Sequence, residues 1–297
     1  MPLEILVNAL GITGFILPIS CADNLFSGET IKPIHGGQAA RAAVEAIRLA
    51  EKGFKGSPIE GIPPRYNGFL AMTCEKPNFM ILADGLGEKY TIREVYMKPF
   101  SSCRQTHGAV EVAQRLIRDY QIHPNQIDKV IVRTDSLAAK STGNNYTDVS
   151  SNFVDCQFST PYAVAAVLLD GKNDPNQFSK KRINDPAIHE LERRITVTGD
   201  KDLDALYPEK RPTIVEIYMR GGKTYTDRVD FPKGDSRNPM TEEEIKEKFT
   251  YLTTRRLNKK QREEIIEFIL NIEGRDSLSR LFSILLEGEG NEPENSI

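Results

Sequence analysis

Three short segments gather the residue types that proton transfer on a small anion requires. The densest is Lys98-Pro-Phe-Ser-Ser-Cys-Arg-Gln-Thr-His107: two cations, two serines, a threonine and a histidine directly ahead of the helical pattern Ala109, Val112, Ala113, Leu116, Tyr120. A helix N-terminus offers unpaired N–H groups and a partial positive charge, which favours a bound carboxylate or phosphate, and His107 is a candidate for moving a proton. The same residues also fit a plain capping loop, with Thr106 as the cap, His107 bonded to backbone, and Lys98 and Arg104 in water. The second segment, Thr30-Ile-Lys-Pro-Ile-His-Gly-Gly37, sets Lys32 and His35 before another helical run, and a solvated loop lysine is the competing reading. The third, Asp155-Cys-Gln-Phe-Ser-Thr-Pro-Tyr162, predicts a helix start, because proline in the first turn loses no hydrogen bond. Tyr162 is then an acid or donor near that terminus, or a core tyrosine whose hydroxyl reaches a surface partner. His123 and His189 read as surface residues and receive no role.

The elements that must hold these segments follow from periodicity. Leu3 to Ile19 reads as a buried core helix, and Ala40, Ala43, Val44, Ile47 and Ala50 share one face of a helix that stops near Gly53. Gly56 to Gly68 is a long loop. Lys129 to Thr134 reads as a strand, and the runs 213–219 and 224–231 flank Arg220-Gly-Gly-Lys223, a hairpin signal. Thr241 with Glu244 and Asn258 with Gln261 fit capping boxes. Ile265, Ile266, Phe268, Ile269 and Ile272 make an apolar face that Gly274 ends. The expected class is α+β. Residues 1–84 form the first part of a discontinuous helical domain, 85–232 an inserted α+β domain, 233–285 helices returning to the first domain, and 286–297 a disordered tail.

Composition narrows the function. The 297 residues carry 39 Lys and Arg against 42 Asp and Glu, a net charge of −3, so no long-range field draws the chain to nucleic acid or an anionic membrane. Any bound anion must be held by local cations. The apolar N-terminal stretch lacks preceding basic residues and falls short of the ~20 residues that cross a bilayer, so neither a signal peptide nor a membrane span is expected. Cys21, Cys74, Cys103 and Cys156 form no CxxC pair, which reads as reduced thiols in a cytoplasmic protein without a metal site. GxGxxG, P-loop, HExxH and GxSxG patterns are lacking, so a cofactor-free mechanism is expected.

Five ordered stretches carry a resemblance: Ala9-Leu-Gly-Ile-Thr-Gly14, Thr30-Ile-Lys-Pro-Ile-His-Gly-Gly-Gln-Ala-Ala40, Lys98 to Gly108, Gln157-Phe-Ser-Thr-Pro-Tyr-Ala-Val-Ala165 and Gly234-Asp-Ser-Arg-Asn-Pro-Met240. In order and spacing the chain resembles the MmgE/PrpD family from residue 9 to about 270. The resemblance implies a lyase on a small di- or tricarboxylate, 2-methylcitrate dehydratase-like, with decarboxylation or epimerisation of a related acid as alternatives. A non-catalytic, dimerising subunit is a further alternative. It also implies a homodimer with no cofactor, and a site with Lys98, Tyr162 and His107 as catalytic groups and Lys32, Arg104, His35 and Gln157 as substrate contacts. Removing water, carbon dioxide or a proton beside a carboxylate builds up negative charge, which fixed cations in a water-poor site stabilise. Family chains carry a further N-terminal stretch, so the resemblance implies either a separate N-terminal-half partner subunit or a truncated form without activity, and in a lone monomer the helix from Ile5 to Ile16 stays uncovered.

Overall fold

Small side chains decide how the first segment folds. The computed structural model describes residues 1–17, 30–145 and 152–287 and divides into two units, 1–92 and 93–297. Cys21 and the tail 288–297 lie outside the described residues. In the first unit α1 (Leu3–Ile16) rests on α2 (His35–Glu51), which follows a 3-10 turn at Lys32–Ile34. Ala9, Ile12, Ala46 and Ala50 form the contact, bordered by Ile5, Ile16, Ile47 and Leu49. The buried stripe of α2 is Ala42, Ala46 and Ala50, whereas Ala40, Ala43 and Val44 of the predicted face are exposed. Both stripes have helical spacing, but the one lined by methyl groups lets a second helix approach closely, and it is the one used. Helix α1 forms as predicted yet is not a core helix: Ala9, Gly11 and Ile12 are buried, while Leu3, Leu6, Val7, Leu10 and Phe15 are exposed. Two backbones cross at Gly11 and Gly56, where a Cβ on Gly56 would stand 2.2 Å from the Ile12 nitrogen and 2.4 Å from the Gly11 carbonyl carbon.

The second unit is α+β, as expected. It contains α3 (His107–Tyr120), β1 (Ile127–Thr134), α4 (Ser136–Thr142), α5 (Phe153–Gln157), α6 (Thr160–Asp170), α7 (Pro186–Glu192), β2 (Ile195–Gly199), β3 (Thr213–Met219) and β4 (Thr224–Val229). The sheet runs β2-β1-β3-β4, with β1 and β2 parallel and the other pairs antiparallel. Val112 and Leu116 of α3, the apolar run Ala163 to Leu168 of α6, and Val130, Val132, Val215 and Ile217 of the sheet share one core. A helix buried on all sides, such as α6, reads as a continuous apolar run rather than a stripe.

Three helices follow: α8 (Glu242–Thr253), α9 (Lys259–Leu270) and α10 (Ser279–Glu287). Both predicted capping boxes form. Of the predicted apolar run, Ile265 and Phe268 are buried and Ile269 and Ile272 exposed; Ile265 packs with Leu257 and Ile284, and the helix ends at Leu270, ahead of Ile272 and Gly274. His189 is not the surface residue expected: its Nδ1 lies 3.2 Å from the buried Glu192 carboxylate and its Nε2 2.9 Å from the Ile183 carbonyl. His123 is exposed. Among the described residues no helix is long and apolar enough to cross a membrane.

Candidate functional site

The loop that leads into α3 is folded back on itself by its own hydroxyls. Thr106 occupies the N-cap position of α3 without capping it by side chain. Its hydroxyl donates to the Cys103 carbonyl at 3.0 Å and accepts from the Ser102 hydroxyl at 2.7 Å. The Cys103 N–H donates to the Gln157 carbonyl at 2.7 Å, and the Ser101 N–H reaches the backbone and side-chain oxygens of Asn173 at 3.0 and 3.1 Å. Gln157 thus meets the loop through its backbone, at the end of α5.

This folding brings Lys98 and His107 to one acceptor. The Ser102 carbonyl accepts from the Lys98 ammonium at 3.2 Å and from His107 Nε2 at 3.3 Å. With Nε2 as the donor, Nδ1 keeps the lone pair, and Nδ1 is buried without a hydrogen-bond partner. The His107 ring is 0% exposed and stands edge-on to Phe100, with centroids 5.2 Å apart. Burial pushes its pKa down to about 3; the Arg104, Lys98 and Lys248 charges push the same way, and the Ser102 hydrogen bond opposes them. At neutral pH His107 is therefore an uncharged imidazole among three cations.

Arg104 is not the water-facing side chain of the capping-loop reading; it is 9% exposed. Its guanidinium lies 4.3 Å from the centre of the Tyr96 ring, donates to the Pro232 carbonyl at 3.0 Å and pairs with Asp235 at 3.8 Å. Burial holds its pKa below the ordinary arginine value despite Tyr96 and Asp235. Tyr162 is fully buried in α6, and its hydroxyl donates to the Gln177 carbonyl at 2.6 Å. Burial raises the phenol pKa far above its ordinary value, which keeps it a neutral donor. Among the three residues the motifs imply as catalytic, Lys98 is the exposed one. Lys32, in the 3-10 turn, and His35, the exposed first residue of α2, belong to the first unit.

Three participants escaped the sequence reading. Lys248 on α8 donates to the Lys98 carbonyl and is half-buried, which lowers its pKa. Asp235 pairs with Arg104 from 131 positions further along the chain. Asn173 is buried and holds Ser101. Five buried side-chain atoms among the described residues lack a hydrogen-bond partner, and three of them, Arg104 Nε, His107 Nδ1 and Asn173 Nδ2, belong to this loop or to the residue it leans on. A buried polar atom left unpaired costs about 1–3 kcal/mol.

The depressed pKa of His107 carries a pH signature. Its folded value lies below the unfolded value near 6.5, so its contribution to stability is fully present above pH 6.5 and is lost as pH falls toward 3. Urea titrations at pH 7 and pH 4.5 are expected to differ by roughly 2–3 kcal/mol through this group. His107→Gln removes that part of the slope, and an unchanged slope in the variant would assign it to other groups.

The second unit is thus an α+β fold with a cation-bearing loop at the head of a core helix. The sequence profile of the MmgE/PrpD C-terminal domain matches residues 100–273, and the chain belongs to the MmgE/PrpD family. It is 26% identical over 266 residues to cis-aconitate decarboxylase of Homo sapiens, covering 86% of this chain and 52% of that protein. It is 24% identical over 274 residues to cis-aconitate decarboxylase of Aspergillus terreus, covering 87% and 55% respectively. The cis-aconitate decarboxylase-like protein oryM of Aspergillus oryzae is 25% identical over 275 residues, again 87% and 55%. The chain spans about half the length of the curated relatives it matches.

Proposed function

We propose that the chain is the site-bearing part of a lyase acting on a small di- or tricarboxylate, with carbon dioxide as the leaving group. The observation that carries this reading is the gathering of Lys98, Arg104 and Lys248 around the neutral, buried imidazole of His107. Loss of carbon dioxide breaks the bond between a carboxylate carbon and its neighbour, and the electron pair stays on that neighbour until a proton arrives. Cations held at the developing charge lower the barrier. Lys98 faces solvent and donates hydrogen bonds, so it supplies the positive charge and is the available proton source. His107 acts through the Ser102 carbonyl to hold Lys98, and Arg104 and Gln157 are the substrate contacts that the motifs assign within the second unit. Tyr162 supports the site as a neutral donor.

The names of the relatives favour decarboxylation of a cis-aconitate-like acid. Dehydration of 2-methylcitrate, implied by the motifs, is the second form; a base takes the proton from one carbon, its electron pair forms the double bond, and the carbon–oxygen bond of the neighbour breaks as the hydroxide leaves with a proton. Homodimerisation and a separate polypeptide covering the exposed face of α1 belong to the same proposal, supported by Leu3, Leu6, Val7, Leu10 and Phe15 in water. The test follows cis-aconitate and 2-methylcitrate separately by proton NMR, with the purified chain alone and with a family N-terminal half added. Consumption of cis-aconitate matched by released carbon dioxide is the expected result. Water loss from 2-methylcitrate selects the second form, and silence toward both acids in both arrangements rejects the lyase reading.

A further inference from the structure

The stretch Gly234 to Met240 marks the family yet supplies none of the groups the motifs assign to the site. We propose that its Gly234–Asp235 turn is a positioning element that fixes both ends of the Lys98–His107 loop, an inference that rests on the reading of that loop as a polycarboxylate site. At one end the Met97 N–H donates to the Gly234 carbonyl at 3.0 Å, immediately before Lys98. Gly234 has φ +88°, and a Cβ there would fall 1.9 Å from the Met97 carbonyl oxygen, so only glycine permits this approach. At the other end Arg104 donates to the Pro232 carbonyl and pairs with the Asp235 carboxylate.

The turn is itself rigid. Asp235 is 2% exposed and accepts from Arg237 at its backbone nitrogen, 3.0 Å, and at Nε, 2.9 Å. The Gly234 N–H donates to the Asn238 carbonyl at 2.8 Å, and the Lys233 N–H donates to Glu111 of α3 at 2.6 Å. Two buried partners of opposite charge therefore set the distance between the turn and the loop, and a carboxylate is needed because an amide in its place leaves the guanidinium uncompensated. Asp235 touches no substrate in this scheme; it acts through Arg104 and, by way of Gly234, through Lys98.

The test combines amide hydrogen exchange with cis-aconitate titration on the intact chain. In Asp235→Asn the segment 97–106 is expected to exchange about tenfold faster, with β3 and β4 within twofold of wild type. Affinity for cis-aconitate is expected to fall about tenfold. Arg237→Gln, which removes the other guanidinium on the same carboxylate and keeps the charge on Asp235, is expected to accelerate exchange of 97–106 less than Asp235→Asn does. Unchanged exchange in 97–106, or equal acceleration of loop and strands, overturns the proposal, as does faster loop exchange with wild-type affinity. If the exchange responds but the wild-type chain ignores cis-aconitate, the polycarboxylate reading fails while the clamp on the loop stands. Should Asp235→Asn fail to fold, Asp235→Glu is read by the same criteria, since it keeps the buried charge and moves the carboxylate by one methylene.

Discussion

Lys98→Ala is expected to lower turnover of cis-aconitate by at least about a hundredfold, the scale on which removal of one preorganised stabiliser of developing charge is felt. The side chain is exposed, so its truncation leaves no cavity, and its bond to the Ser102 carbonyl is replaceable by water. Stability should consequently change by less than about 1 kcal/mol, which separates a chemical effect from a folding one. Tyr162→Phe makes the contrast: it leaves the Gln177 carbonyl unpaired inside the core, and its cost, about 1–3 kcal/mol, should appear in urea titrations. Turnover in Lys98→Ala within tenfold of wild type would remove Lys98 from the mechanism.

Gly56→Ala is expected to destabilise the first unit by about 3 kcal/mol, near the upper end for overpacking. The added methyl group meets Ile12 N and Gly11 backbone atoms rather than the end of a flexible side chain, so relief requires α1 to move. Gly36→Ala supplies the opposite sign. It lies in α2 with nothing within 4 Å of its Cβ position, and loss of glycine's backbone freedom should add about 0.5–1 kcal/mol. Urea midpoints of the two variants moving in the same direction would contradict the crossing of backbones at Gly11 and Gly56.

What could be read in advance was what neighbouring residues settle among themselves. The capping boxes at Thr241 and Asn258 and the turn between 219 and 224 are completed within a few positions, and the structure has them. The loop from Lys98 to His107 was legible as a concentration of polar groups for the same reason. Choices made by distant partners were not. Two stripes on α2 satisfy the helical repeat, and which one is buried depends on the shape of α1. β2 is a short alternating run whose pairing with β1 is parallel and needs a long connection. Lys248 and Asn173 lie outside the quoted motifs and Asp235 lies within one that received no site role; only the tertiary path brings all three to the loop.

The clamp on Lys98 also has a timetable. The lysine that donates to its carbonyl is made 150 residues later, and at about 5–20 residues per second a ribosome needs roughly 8–30 s to cover that interval. For most of that wait the nascent loop has neither Asp235 nor Lys248 to lean on. A chain released before residue 235 would carry the whole Lys98–His107 motif without the residues that fasten it, so the loop is completed only once residues 235–248 have been made.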